Sequence, residues 1–144
     1  MDLTSFLAAW GALCSSAAIG WNLYRDLNDR GKLKVNCYIG KIVSQDGPQD
    51  EQEYLVWNVI NVGRRPIMVH TIGGENQKDH FLLPHCPLPR MLAPGEYLLE
   101  YTSDLSILGP QLKKLTVVDT TGKSYAAPHR QVRRLKRTFQ NQLA

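Results

Sequence analysis

The chain has few cysteines and only ordinary amounts of glycine and proline, and each of these features excludes a class of protein. Its 144 residues include only three cysteines, too few and too unevenly placed for a small domain held together by disulfides. Glycine and proline number 11 and 8, which excludes collagen-like and low-complexity sequences. Hydrophobic residues make up 43%, so the bulk of the chain can fold, and the length predicts one domain.

Acidic residues are missing from Thr120 to the end, a region that holds six Lys or Arg residues. The other eleven Lys and Arg residues stand against all thirteen Asp and Glu residues, so residues 1–119 carry a formal charge of −2 although the chain carries +4. The positive charge is therefore a property of the C-terminal tail rather than of the preceding body.

Charge is also missing from Phe6 to Tyr24, a run of about 19 residues. As a helix this run would be about 28 Å long, close to the hydrocarbon thickness of a bilayer. Trp21 and Tyr24 lie at its C-terminal end, where amphipathic rings favour the headgroup region. We therefore predict a membrane helix, with the lipid bilayer as the partner of Phe6–Tyr24.

Two other interpretations of this segment stay open. A signal peptide should begin with Lys or Arg, whereas the only charged side chain before the apolar run is Asp2; Ser16-Ala17-Ala18 does resemble a cleavage site. Alternatively, the segment is a packed helix of a soluble oligomer, which its serines and alanines would suit.

Small residues recur every four positions along the predicted helix, at Ala8, Ala12, Ser16 and Gly20. Such stripes allow close helix–helix approach in lipid, so these four residues are the predicted self-association face. An alanine-rich helix can also produce this spacing by chance.

Four basic residues follow the apolar run within about ten positions: Arg25, Arg30, Lys32 and Lys34. None precedes it. The positive-inside rule then predicts a single-pass protein of the inner (cytoplasmic) membrane with its C-terminal domain in the cytoplasm.

From Leu33 onward the hydrophobic period becomes two, which is typical of strands. We predict strands from Leu33 to about Val43, Tyr54 to Val62 and Ile67 to Ile72, with a loop beginning at Gly73-Gly74. Further strands are expected at His80–Leu83, Glu96–Tyr101, Lys113–Val118 and Lys123–Ala126. About seven short antiparallel strands favour a mainly β sandwich, with a small β-barrel as the alternative.

The order of these elements resembles the immunoglobulin-like modules of many small bacterial membrane-anchored proteins of unassigned role. The resemblance rests on Asn61-x-Gly63-x-x-Pro66, Leu92-x-Pro94-Gly95-Glu96 and Val118-Asp119-x-x-Gly122-Lys123-x-Tyr125, and covers roughly Gly31 to Pro128. It implies an immunoglobulin-like β-sandwich between an N-terminal helix and a C-terminal helix. These are turn motifs, which carry no catalytic information. The chain thus divides into a helix and juxtamembrane segment (1–30), a β-sandwich (31–128) and a basic amphipathic helix (129–144).

No catalytic or metal-binding motif stands out. His80, His85 and Cys86 lie close together, and His70 could approach them, but their spacing matches no paired zinc motif. Cys37, Trp57 and Cys86 follow the order of an antibody-type core, although Cys86 sits between His85 and Pro87 in an irregular segment. We expect no cofactor, no metal and no enzymatic activity.

The tail after Pro128 predicts a helix with two faces. Arg130, Arg133, Arg134 and Arg137 fall on one face, and Val132, Leu135 and Phe139 form an apolar stripe on another. The arginines could contact an anionic membrane or an anionic ligand, or remain solvated while the stripe docks on the body. Nucleic acid is not expected as a partner, because no recognised binding motif accompanies the charge.

These features favour a non-enzymatic, membrane-anchored binding or scaffold protein whose cytoplasmic β-sandwich engages an unidentified protein or ligand. Two alternatives remain. One is a ligand-gated membrane effector of a bacterial, phage-defence type, which would oligomerise through its helix. The other is a soluble oligomer assembled by the same helix.

Overall fold

The computed structural model describes residues 2–43, 51–84 and 87–143. These residues form two α-helices, one 3-10 turn and eight strands. In chain order the elements are α1 Leu3–Asn28, β1 Leu33–Lys41, β2 Glu53–Asn61, β3 Ile67–Asn76, β4 His80–Leu82, β5 Arg90–Leu92, β6 Tyr97–Thr102, the 3-10 turn Leu105–Leu108, β7 Leu112–Asp119, β8 Ser124–Ala126 and α2 His129–Leu143. An N-terminal apolar helix, a mainly β body and a C-terminal helix are thereby confirmed.

The strands form two antiparallel sheets. Sheet A has the order β1-β2-β6, and sheet B has the order β4-β3-β7-β8 with β5 pairing with β3. Both sheets contribute alternate side chains to one hydrophobic core, as expected for strands with a single buried face. Its largest fully buried side chain is that of Trp57, in the central strand of sheet A.

Helix α2 completes this core. Its apolar stripe faces inward, with Val132 and Leu135 buried and Phe139 packed against the core. At one side of the helix, the Cys37 backbone N–H donates to Gln131 Oε1 at 3.0 Å. At the other side, Lys136 Nζ donates to the carbonyls of Pro110 and Leu112, each at 3.0 Å. The docking interpretation of the stripe is therefore confirmed.

The described residues form eight strands, in line with the expected number of about seven; the additional strand is β5, which pairs with β3 after a proline-rich stretch. One expectation about the strands was wrong. The chain does not enter a loop at Gly73-Gly74, since β3 continues through both residues. A Cβ on Gly73 would lie 2.0 Å from the Phe81 carbonyl oxygen, so this glycine permits the close approach of β4 instead of making a turn.

The hairpin between β7 and β8 is held by Asp119, which is 5% exposed. One carboxylate oxygen accepts hydrogen bonds from the Thr121 hydroxyl at 2.6 Å and from the backbone N–H groups of Thr121 and Lys123 at 2.9 Å each. Gly122 supplies the positive φ of 84° that the turn requires. Burial alone would raise the pKa of Asp119, but hydrogen bonds from Thr121, Lys123 and Tyr125 outweigh it and lower the pKa.

Asp119→Asn is expected to lower the free energy of unfolding at pH 7 by about 1 kcal/mol, because the amide loses the charge that strengthens these hydrogen bonds. Because folding lowers the pKa of Asp119, the charged carboxylate stabilises the folded state fully at pH values above the pKa of the unfolded state. This stabilisation is lost as the pH falls through the pKa of the folded state. The stability difference between the two proteins should therefore disappear on acidification. Chemical denaturation of both proteins between pH 7 and pH 3 measures it, and a difference independent of pH would contradict the charge argument.

Candidate functional site

Among the described residues, helix α1 is the longest exposed apolar surface. Every residue from Leu3 to Asn28 is exposed, including Trp10 at 53% and Leu13 at 65%. The helix is 26 residues long, and among the described residues it is the one helix with the length and composition to cross a membrane. The hydroxyls of Ser15 and Ser16 are satisfied within the helix, since they donate to the carbonyls of Gly11 and Ala12. The helix therefore presents an apolar surface that the body does not cover.

The small residues predicted for self-association lie along this exposed helix. Ala8, Ala12, Ser16 and Gly20 are all exposed, and a Cβ built on Gly20 meets nothing within 4 Å. Their i+4 spacing places them on one face of α1. The stripe is thus accessible to a second helix, and its role in association stays a prediction.

The turn after β2 binds the segment that leads from α1 into β1. Asn61 is fully buried, and its Nδ2 donates to the carbonyls of Arg65 and Leu92 at 2.9 Å each. Its Oδ1 accepts from the Gly63 backbone N–H at 2.9 Å. The N–H groups of Val62 and Gly63 in turn donate to the Lys32 carbonyl at 2.8 and 3.2 Å.

Gly63 is required at this contact. A Cβ there would lie 2.4 Å from the Lys32 backbone nitrogen and 2.5 Å from the Arg30 carbonyl oxygen. The first sequence motif, Asn61-x-Gly63-x-x-Pro66, is therefore a clamp that fastens the segment leaving α1 to the body. The sequence identified the turn, but the partner segment became visible only in the structure.

Two ion pairs join the same turn to α1. Arg64 Nη1 lies 3.5 Å from Asp29 Oδ1, and Arg65 Nη2 lies 3.8 Å from Asp26 Oδ1. Both arginine side chains are well exposed, so each pair contributes about 0–1 kcal/mol. The pairs bring two cations from the β2–β3 turn to the C-terminal end of α1.

A cationic cavity of about 550 Å³ lies at this junction, and we call it the junction groove. Its basic side chains come from three segments of the chain: Arg30 and Lys32, Arg64, and Lys123. Lys123 Nζ lies 5.0 Å from the centre of the Tyr125 ring, which also lines the groove. Of the described residues that line it, none is acidic.

The four arginines of α2 are all exposed, because the apolar stripe turns the opposite side of the helix inward. Three of them line two grooves. Arg133 and Arg137 line a cavity of about 270 Å³ together with Lys113 and Lys136, whereas Arg134 lines one of about 320 Å³ beside β1. Arg130 lines neither of these two grooves.

Helix α2 lies at some distance from the end of α1, measured along β1. Gln131, near its start, contacts Cys37, and Gln142, near its end, donates to Glu53, which pairs with Lys41. At about 3.3 Å per residue, these levels of β1 lie roughly 13 and 26 Å beyond Leu33. The junction groove, not α2, is the basic surface next to α1.

A surface that sequence reasoning missed lies on the outer side of sheet A. We call it the tyrosine face. Its most exposed members are Tyr38, Tyr97, Leu99 and Tyr101, at 43%, 61%, 44% and 56%. The ring of Tyr101 packs edge-on against that of Tyr54 with centroids 5.4 Å apart. The alternation Tyr97, Leu99, Tyr101 was the available signal, since these residues face away from buried Leu98.

His85 and Cys86 lie outside the described residues, and so do the metal and disulfide interpretations that depend on them. Within the described ranges, no three His, Cys, Asp or Glu side chains converge on a point where they could hold a metal ion. Cys37 is buried in the core at 1% exposure, and burial raises the pKa of its thiol to about 12.

No family model and no curated protein matches the chain. Among solved structures, the chain is similar to one described as the X-ray structure of Northeast Structural Genomics Consortium target SoR45. The similarity has 12% sequence identity and a TM-score of 0.32, and it covers 66% of this chain and 80% of that one. A TM-score of this size carries no argument about fold or function.

Proposed function

We propose that this is a non-enzymatic, single-pass membrane protein that presents a β domain for binding. The observation that carries the proposal is the exposure of all of α1, including its large apolar side chains. Leaving such a helix in water would forfeit its hydrophobic transfer free energy, whereas a bilayer accommodates it with every backbone group satisfied.

The body would lie in the cytoplasm, beneath the inner membrane of a bacterial cell. The flanking cations Arg25, Arg30 and Lys32 support this orientation. The fold adds Arg64, Arg65 and Lys123 to the same end of α1, where anionic headgroups would attract them.

The body would be an immunoglobulin-like sandwich of the kind found in small bacterial membrane-anchored proteins. Support comes from its two antiparallel sheets around one core. Further support comes from the resembling motifs, which form a buried Asn61 clamp, a positive-φ turn at Gly95 and the Asp119 hairpin.

The arginine face of α2 would bind an anionic ligand or the acidic surface of a partner protein. Helix α2 lies roughly 13 to 26 Å along β1 from the end of α1. We therefore favour contact of its arginines with a ligand over contact with the bilayer. The cavity beside β7 gathers Lys113, Arg133 and Arg137, where bidentate arginine contacts would favour phosphate or carboxylate groups.

Retention on immobilised heparin tests this face. In detergent-solubilised full-length protein, Arg133→Glu with Arg137→Glu should lower the salt concentration needed for elution. The matched control, Lys41→Glu with Arg90→Glu, makes the same charge change at exposed positions elsewhere and should lower it less. Equal shifts would mean that only net charge matters and that α2 forms no focused site.

Membrane fractionation of the full-length protein tests the anchorage. We expect the protein to remain in the membrane pellet after both high-salt and carbonate washes. Release by carbonate or salt would indicate peripheral attachment, and a soluble oligomer would indicate that α1 packs against copies of itself in water. Either result would overturn the proposed anchorage.

A further inference from the structure

We propose that the tyrosine face is a homodimer interface, through which two membrane-anchored copies pack their sheets A face to face. The inference rests on the proposed anchorage, because confinement to one bilayer gives the two copies a shared orientation and a high local concentration.

The face has the composition of an interface. Its rows follow the strand register: Tyr38, Val56 and Tyr101 lie across one row, and Asn36, Asn58 and Leu99 lie across the next. The third row is Lys34, Ile60 and Tyr97, so the three rows hold one charged side chain. Exposed tyrosines with little charge distinguish interface centres from ordinary protein surface.

The face is complementary to a copy of itself. A two-fold axis running along β2 places β1 of one copy opposite β6 of the other. Row by row, Tyr38 then meets Tyr101 of the second copy, and Lys34 meets Tyr97. The first contact pairs two aromatic rings, and the second sets the one cation of the face over a ring. Val56 and Ile60, in the central strand, meet their own counterparts.

The same axis suits two anchored chains. An axis along the membrane normal keeps both α1 helices in one bilayer with the same orientation. The clamp at Asn61 and Gly63 holds the start of β1 beside the end of α1. In the proposed dimer, the strands of sheet A run along that normal and present the tyrosine face sideways to the second copy.

The area explains why the membrane is needed. Three strands about 4.8 Å apart and six residues of about 3.3 Å cover roughly 300 Å² on each copy. The roughly 600 Å² buried by two copies is half of the ~1,200 Å² that marks the lower limit for specific, stable soluble complexes. Confinement of both chains to a bilayer raises their effective concentration, so a small face suffices. The exposed stripe Ala8, Ala12, Ser16 and Gly20 would continue the same contact in the membrane.

Site-specific crosslinking tests the proposal. The full-length protein, with Cys14→Ser and Cys86→Ser, is reconstituted into vesicles of phosphatidylethanolamine and phosphatidylglycerol. Val56→Cys lies on the proposed axis and should be joined to its counterpart by a short bis-maleimide, which spans the roughly 10 Å between packed sheets. Lys114→Cys, exposed on sheet B, is the matched control and should give at least about tenfold less dimer.

A second substitution identifies the contact. Tyr101→Arg should reduce crosslinking at Val56→Cys about tenfold because it places a charge in the face, whereas Tyr101→Phe should preserve it. Equal crosslinking at Val56→Cys and Lys114→Cys, or crosslinking that Tyr101→Arg leaves unchanged, would overturn the dimer. A carbonate wash of the same vesicles separates the two proposals: protein that stays bound but does not crosslink contradicts the dimer alone, and protein that is released contradicts the anchorage.

Discussion

A full-length chain carrying Leu13→Arg and Ile19→Arg is expected to leave the membrane fraction. Both positions lie in the uncharged run, and their side chains are 65% and 69% exposed, so the substitutions remove no contact in the body. Arginine near the centre of a membrane helix costs about 2.5–3.5 kcal/mol on insertion, and two cost about 5–7 kcal/mol. The protein remaining in the pellet after a carbonate wash should fall from nearly all to a minor fraction.

The control moves the same two charges beyond the apolar run. Leu27→Arg with Asn28→Arg adds them at the C-terminal end of α1, where long basic side chains reach the headgroup region. This variant should remain in the pellet. If both variants behave alike, whether retained or released, the depth of the charge does not matter and α1 does not cross the bilayer.

Features that depend on local pattern could be predicted from the sequence. The charge-free run from Phe6 to Tyr24 lies within α1. It could be predicted because about 19 uncharged residues, at a fixed rise per residue, have the length of a helix that spans a bilayer. The alternation from Leu33 matches β1, in which Leu33, Val35 and Cys37 are buried. The apolar stripe of α2 lies against the core for the same reason.

Features that depend on distant partners could not be predicted. Strand β5 is three residues long with only Leu92 buried, so its own pattern is too short to indicate a strand. It forms because the start of β3 offers an edge to pair with. Gly73 and Gly74 predict a loop on local grounds, because nothing local shows that the Phe81 carbonyl oxygen lies where a Cβ of Gly73 would clash with it.

The candidate surfaces show the same limit. The arginines of α2 come from one helix, and periodicity placed them together. The junction groove draws its cations from residues 30–32, 64 and 123, and the tyrosine face draws its side chains from three strands. Only the fold brings such segments side by side, so composition and spacing could not assemble either surface.

Asn61→Ala is expected to lower the free energy of unfolding by about 3 kcal/mol. Alanine would remove three hydrogen bonds of 2.9 Å and leave the carbonyls of Arg65 and Leu92 and the N–H of Gly63 without this partner. The Leu92 carbonyl is buried, and a buried backbone group that loses its partner costs about 1–3 kcal/mol. The Gly63 N–H keeps the Lys32 carbonyl as an acceptor and Arg65 is exposed to water, so these two groups lose less. Thermal or denaturant unfolding of the full-length protein in detergent measures the change.

Asn58→Ala is the matched control, because it makes the same chemical change three residues earlier in β2. The Asn58 side chain lies on the outer side of sheet A, and its buried Oδ1 accepts no hydrogen bond from the described residues. Removing it should therefore change the stability by less than about 1 kcal/mol. If the two variants lost comparable free energy of unfolding, the asparagines of β2 would stabilise the protein through packing and not through the Asn61 hydrogen bonds. A loss confined to Asn61→Ala would show that the free energy resides in the clamp between the body and the segment that leaves α1.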